Sequence, residues 1–347
     1  MKKLIALMLS LVLLGSCLVA CAAPAPAAPE APAEAPAEAP AEAPEASAAP
    51  EAPAEAPAEE ASPWAGKTIA FAPKTLSNEY FVGMQDALLA EAESLGIKVE
   101  VAAPPKESDV DQQIAIIENY IQMGVDAIIM VPGDSNQVVD VINQAAAADI
   151  PVFVCDTPAA ESNYVAFIGT NNYEGGRLAA RWFGENVKGE VVILDSQSGN
   201  QATTDRRNGF LDQIADYPDV KVVNEAYANA DRSEAMTQME NFLTAHPNVA
   251  GVFACADMMA QGAAEAVVAA GKQDQVTICG FDGQPDACQD VLDGFIQATV
   301  AQHPATMGRL AIQKLCEYWE GKEIERNIDT GCTFVTAENA ADFLNWT

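Results

Sequence analysis

Beyond residue 66 the chain alternates short, unbroken apolar runs with polar-faced segments of helical length, and few folds accept that pattern. The apolar runs fall at 68–72, 99–102, 127–131, 151–155 and 165–169, and again at 190–194, 220–226, 251–254 and 276–280. Between them the spacing predicts helices over 80–95, 109–123 and 137–148. A strand that is apolar on both faces must be covered on both faces. Helical crossovers supply that cover in a parallel sheet. The two sets of runs have similar length. They predict two α/β lobes, each a doubly wound parallel sheet.

Open parallel sheets hold ligands beyond the carboxyl ends of their strands. Polar residues gather at those ends here. Lys74 to Asn78 follow the first run, Asp156 follows Cys155, Ser196 to Asn200 follow Leu194, and Asp257 and Asp282 close two later runs. A single aspartate after a strand is commonly the cap of the next helix. A series of them on successive strands predicts a shared polar cleft.

The N-terminus is of another kind. Lys2 and Lys3 precede an apolar stretch over 4–14, and Leu18-Val19-Ala20-Cys21 ends it. That is a secretory signal with a processing site rather than a spanning helix, being too short and wrongly flanked. It predicts a signal peptide over 1–20 and a mature chain that begins at an acylated Cys21, anchored to a membrane outside the cytoplasm. Cys17 stands in a poorer version of the same signal. Residues 22–62 then repeat Ala-Pro-Ala-Glu, with nine Glu and no basic residue. Proline blocks regular structure and like charges repel, so 21–65 is expected to be a lipidated cysteine followed by a disordered tether.

The chain carries a net charge of −32, which repels nucleic acid and argues against polyanion binding. Of eight cysteines, six lie in the body: Cys155, Cys255, Cys279, Cys288, Cys316 and Cys332. None is spaced as C-x-x-C and only two histidines exist, so a zinc site is not expected. Six exported cysteines could pair in about 15 ways, and the sequence does not choose among them. There is no Walker or dinucleotide glycine signature, nucleophile elbow or metal motif.

Several motifs together carry a family resemblance. They are Leu76-Ser77-Asn78-Glu79-Tyr80-Phe81, Ile150-Pro151-Val152, Ile168-Gly169-Thr170-Asn171-Asn172, Gly175-Gly176-Arg177-Leu178-Ala179, Arg206-Arg207-Asn208-Gly209-Phe210, Gly280-Phe281-Asp282-Gly283 and Ala298-Thr299-Val300-Ala301-Gln302. The chain resembles the ribose-type periplasmic sugar-binding proteins, the solute receptors of ABC importers. The resemblance runs from Lys67 to about Asp329. It implies two lobes joined by three crossings, with the N-lobe at 66–170 and 303–331 and the C-lobe at 171–302 and 332–347. It further implies a small neutral sugar or polyol as ligand, ABC permease membrane subunits as partners, a monomer, and no cofactor or catalysis. By position, Asn78 hydrogen-bonds the sugar, Tyr80 and Phe81 stack on its ring, and Asp156, Arg206, Asp282 and Gln302 contact hydroxyls.

The chain departs from the ribose pattern at Thr157, Ala256 and Ala230, where Arg, Asn and an aromatic are usual. These changes imply a roomier, less polar C-lobe wall and a ligand other than ribose. Lys74 and Asp205 resemble positions of the rhamnose and autoinducer-2 receptors, although the pattern around Cys255 to Asp257 is not theirs. Lys74 is read as either a pocket donor or a solvated charge. A chemosensory receptor for a sugar or autoinducer-2 and an exported sugar-processing enzyme are the alternative functions.

Overall fold

A computed structural model describes residues 62–345. The expected signal peptide, the lipid-bearing Cys21 and nearly all of the tether lie outside the described residues.

The chain builds β1 (Thr68–Ala72), α1 (Glu79–Ser94), β2 (Lys98–Val101), α2 (Val110–Met123), β3 (Ala127–Met130), α3 (Val139–Ala147), β4 (Val152–Cys155) and β5 (Ala166–Gly169). It continues with α4 (Asn172–Asn186), β6 (Gly189–Asp195), α5 (Gln201–Ile214), β7 (Val220–Tyr227), α6 (Arg232–Ala245), β8 (Val249–Ala254), α7 (Asp257–Ala269), β9 (Thr277–Asp282), α8 (Pro285–Asp293) and β10 (Ala298–Ala301). It continues with α9 (Pro304–Trp319), β11 (Asn327–Asp329) and β12 (Thr333–Thr336), and a short 3-10 helix over Ala340–Phe343 follows.

Two sheets result. One has the order β11-β5-β4-β3-β1-β2 and is parallel throughout. The other has the order β12-β10-β9-β8-β6-β7. If the first five strands of each are numbered from one, both sheets follow the same path. The second sheet departs from the all-parallel expectation at its edge, where β12 pairs antiparallel with β10. The chain crosses between the sheets three times: from β5 to α4, from β10 to α9, and from β11 to β12.

Alternation along β1 shows why both faces need cover. Ile69 and Phe71 pack with Met84 and Leu88 of α1 and Met307, Ala311 and Leu315 of α9. Ala70 and Ala72 face Ile117 of α2 and Val141 and Ile142 of α3. The second sheet has its own core around Val192, Phe210, Phe253 and Ile278. Asparagine starts three helices: the Asn78, Asn171 and Asn200 side chains accept from backbone N–H groups of the first turn. The six body cysteines are free thiols. Burial pushes the thiols of Cys155, Cys255 and Cys279 up, which makes them small apolar core groups.

The crossing of α4 with α5 sets the position of Arg206. The helices approach so closely that a β-carbon on Gly176 would lie 2.0 Å from the Arg206 carbonyl oxygen, and one on Gly209 would lie 2.0 Å from that of Tyr173. Any side chain at either glycine forces the helices apart. Gly176→Ala is therefore expected to destabilise the protein by about 1–3 kcal/mol, read as a drop in the denaturant midpoint. An unchanged midpoint would show that the crossing yields freely.

Candidate functional site

The carboxyl ends of the two sheets face one another across a small cavity. The first sheet contributes Lys74, Asn78, Tyr80, Phe81, Glu107 and Asp156 to its wall. The second contributes Ser196, Asn200, Thr203, Arg206, Ala230, Ala256 and Asp282. Four of these are charged and almost fully buried: Lys74, Asp156 and Arg206 at 3% exposure and Asp282 at 6%. Burial on this scale demands partners, and the structure supplies them.

Arg206 is the most constrained. Its Nε donates to Asn172 Oδ1 at 2.8 Å, and its Nη1 donates to the Cys255 carbonyl at 2.8 Å and Asp282 Oδ1 at 2.9 Å. Its guanidinium lies over the Phe281 ring, 3.9 Å from the centroid. Gln302 Nε2 donates to the same Asp282 oxygen at 2.8 Å. Across the cavity, Lys74 Nζ lies 3.3 Å from Asp156 Oδ2 and 3.9 Å from Glu107 Oε2, and 5.3 Å from the Phe81 ring centroid. Thr157 Oγ1 donates to Asp156 Oδ2 at 2.9 Å. Lys74 is thus a buried partner of two carboxylates rather than a solvated loop charge.

Asp156 follows β4 and Asp282 ends β9, the fourth strands of the two matching paths. Both hold a positive φ, 60° and 124°. A side-chain-bearing residue rarely adopts that conformation, and where it persists the surroundings hold it. Here Asp156 N–H donates to the Ile168 carbonyl at 3.0 Å, and Gln302 N–H donates to the Asp282 carbonyl at 3.0 Å. Each kink delivers a carboxylate into the cavity.

Burial pushes the Asp282 carboxyl up to about 6; Arg206 and Gln302 oppose the rise, and Asp156 and Glu107 add to it. Burial, reinforced by Asp156 and Asp282, pushes the Tyr80 phenol well above its ordinary value. Tyr80 and Phe81 meet edge to face at 5.2 Å.

The two sheets' loops also touch directly. Ser135 N–H donates to the Gly199 carbonyl at 2.9 Å, Gln197 Nε2 to the Gly133 carbonyl at 2.9 Å, and Gln201 N–H to Ser135 Oγ at 3.2 Å. Gln284 Nε2 reaches Asn78 Oδ1 at 3.3 Å. Gly199 has φ +93°, and a β-carbon there would fall 1.9 Å from Asp134 Oδ2 on the opposing loop. The lobes are closed on each other.

The structure gathers Lys74, Asn78, Tyr80, Phe81, Asp156, Arg206 and Asp282 around one cavity, with Gln302 braced behind Asp282. It does not bring Asp205 to them. One residue along α5 turns a side chain about 100° away, and Asp205 lines a separate groove with Thr170, Asn327 and Asp329. Asp205 Oδ1 there accepts from Gln201 Nε2 at 2.7 Å. Asp257 is fully buried behind the cavity as a brace: it accepts from Thr299 Oγ1 at 2.6 Å and Gln284 N–H at 2.8 Å.

Two residues of the wall escape a reading of the motifs. Glu107 sits in the loop that follows β2, a position the strand-end rule covers. Thr203 precedes Arg206 by three residues on α5 and therefore shares its face.

Two doubly wound lobes closed over a buried, charge-lined cavity define a bilobal solute-binding protein. Residues 69–323 match the periplasmic binding protein domain, and the chain belongs to that family with a type I fold. It is 35% identical over 263 residues to the ribose import binding protein of Bacillus subtilis, an alignment covering 75% of this chain and 84% of that protein. A solute-binding protein of an ABC transporter from Actinobacillus succinogenes, solved with bound D-allose, is 33% identical with a TM-score of 0.75, covering 80% of this chain and 99% of that one. A carbohydrate transporter solute-binding protein from Agrobacterium radiobacter, in complex with D-arabinose, is 30% identical with a TM-score of 0.77 and the same coverage. The chain is a binding protein, as these relatives are, and not an enzyme.

A carboxyl whose pKa is higher in the folded protein than in the unfolded chain holds its proton more tightly when folded. Its contribution to stability is present below the ordinary value of about 4 and is lost as pH rises through about 6. Wild type is thus expected to lose melting temperature relative to Asp282→Asn across that window. A constant difference between the two would contradict the assigned environment.

Proposed function

We propose that this chain is the extracytoplasmic, lipid-anchored substrate-binding component of an ABC importer, and that it captures a monosaccharide or polyol between two closing lobes. The carrying observation is the buried ring of Lys74, Asp156, Arg206 and Asp282, drawn from both lobes and arranged around one cavity. A hydroxyl donates and accepts at once, so carboxylates, amides and a guanidinium satisfy it on both sides. Two buried acceptors beside the ring support this ligand class: Ser196 Oγ and Gln302 Oε1 have no hydrogen-bond partner among the described residues. The Tyr80 and Phe81 rings suit the C–H faces of a sugar. The ligand contacts we assign are Lys74, Asn78, Tyr80, Phe81, Asp156, Arg206, Asp282 and Gln302.

The cavity measures about 30 Å³, room for roughly two waters. A sugar therefore enters with the lobes parted, and its hydroxyls take over part of what Lys74 and Arg206 now give to carboxylates. The closed form that results is the one a permease distinguishes from the open form. The ribose-binding and D-allose-bound relatives favour a small aldose, and the methyl groups of Ala230 and Ala256 on the cavity wall favour a ligand other than ribose.

Melting curves in the presence of pentoses, hexoses, deoxyhexoses, polyols and autoinducer-2 are expected to rise for at least one neutral sugar or polyol, since a ligand of the folded state stabilises it. Sustained conversion of that sugar to product would end the reading. For the compound that binds, Arg206→Ala and Asp282→Ala are each expected to weaken calorimetric affinity at least about tenfold, because a charged hydrogen bond contributes about 1.5–3 kcal/mol. Unchanged affinity in both would refute the assigned site.

The anchor is tested separately. Cys21→Ser is expected to move the protein from the membrane fraction to the soluble fraction of cells expressing the full chain, and retention in the membrane would refute lipidation at that residue.

A further inference from the structure

We infer that the cleft continues past the cavity into a second subsite, which takes an uncharged, hydroxyl-bearing substituent on the bound sugar, such as a second sugar ring. The inference rests on the reading of the cavity given above and extends it to the class of ligand.

A groove of about 310 Å³ opens beside the cavity. Three residues, Asn78, Glu107 and Ala230, line both spaces. They form the neck between them, and on the second lobe's side that neck is narrowed only by a methyl group. Ala230 holds this place by strain. It and Asn229 have consecutive positive φ values of 51° and 50°, which a side-chain-bearing residue keeps only when its surroundings fix it. Those surroundings are specific: Asn229 N–H donates to the Ser196 carbonyl at 2.8 Å, and Asp231 N–H donates to that of Ala228 at 2.8 Å. Asn229 Nδ2 donates to Glu234 Oε2 at 2.7 Å. One end of this braced turn is thus tied to Ser196 in the cavity wall, and the other carries the groove.

The groove's chemistry selects its occupant. Glu107, Asp231 and Glu234 outnumber Lys106, so a phosphate or carboxylate is repelled. The first backbone donors of α6 are no anion site either, because Asp231 Oδ1 already accepts from Ser233 N–H and Glu234 N–H at 2.8 and 2.9 Å. Thr75, Ser77 and Asn229 offer hydroxyl and amide groups, while Pro105 and Met258 offer apolar faces. Polar edges beside small apolar faces fit a pyranose or furanose ring. The groove is far larger than the cavity, so a ligand with one ring in each is accommodated outward rather than inward.

The test compares free sugars with their substituted forms by calorimetry on the purified full chain. The probes are D-ribose, D-allose, D-galactose and L-rhamnose, each with its methyl and phenyl glycosides of both anomers, together with melibiose, lactose and the 6-phosphates of the hexoses. At least one neutral glycoside or disaccharide is expected to bind within tenfold of its parent sugar, and the phosphates are expected not to bind. Ser77→Trp fills the groove from an exposed position outside the cavity lining. It is expected to weaken the substituted ligand at least tenfold while leaving the parent within threefold. Met258→Trp, which approaches from the other lobe, is expected to do the same and guards against a folding defect in the first variant. If the parent sugars bind and every glycoside binds more than a hundredfold more weakly, the subsite is overturned while the cavity reading stands. If no sugar binds in any form, both fall together.

Discussion

The burial of the Arg206 guanidinium governs this architecture. A charge that deep in protein is tolerated only when its hydrogen-bonding groups are satisfied and a counter-charge stands beside it. Asn172, the Cys255 carbonyl and Asp282 meet that demand from three different elements, and Phe281 covers one face. The rest follows from holding those partners in register. The glycine-mediated approach of α4 to α5 brings Asn172 to Arg206. The kink at Asp282 turns its carboxylate inward, and Gln302 fixes that carboxylate from the next strand. Asp257, invisible to a ligand, ties Thr299 to the turn before α8 and supports the kink from behind.

The first lobe answers with a similar device. Asp156 occupies the matching strand end with the same left-handed backbone, and Lys74 neutralises it. Each lobe therefore presents a carboxylate already paired with a cation. Neither has to bring an isolated charge into the closed state. On the reading proposed above, the partners of a neutral guest are in place before it arrives, and binding exchanges hydrogen bonds rather than creating buried charges. A preorganised wall of this kind rejects analogues that lack a hydroxyl, because its own polar groups would be left unpaired.

Much of this was legible in the residues alone. The apolar runs located nine of the twelve strands among the described residues, because most buried parallel strands show their composition. Of the remaining three, β11 and β12 are short edge strands and β10 is an interior strand of four residues, Ala298–Ala301, too short and small-residue-rich to stand out as an apolar run; the antiparallel direction of β12 is set by the chain's third crossing, which no local pattern encodes. Strand-end polarity pointed to Asp156, Asp282 and the 196–200 loop. It failed to distinguish Asp257, a brace, from Asp282, a lining residue, since both follow a strand and only the backbone kink separates them. Asp205 and Arg206 are neighbours in sequence and lie in different clefts because a helix turns about 100° per residue. Glu107 lies in a loop without a motif, and its role rests on its own pairing with the distant Lys74 and Asn78.

The three strand-to-strand and strand-to-helix passages between the lobes have a thermodynamic meaning of their own. Because the halves are covalently tethered at Thr170–Asn171, Gln302–His303 and Thr330–Cys332, completing the binding site is an intramolecular event with a high effective concentration. The translational entropy of assembling a two-part site has been settled by the backbone in advance. Stiffness in those segments sets how readily the halves meet, so evolution has a means of adjusting residence time and affinity at positions such as Asn171, His303 and Gly331, which are not among the assigned ligand contacts.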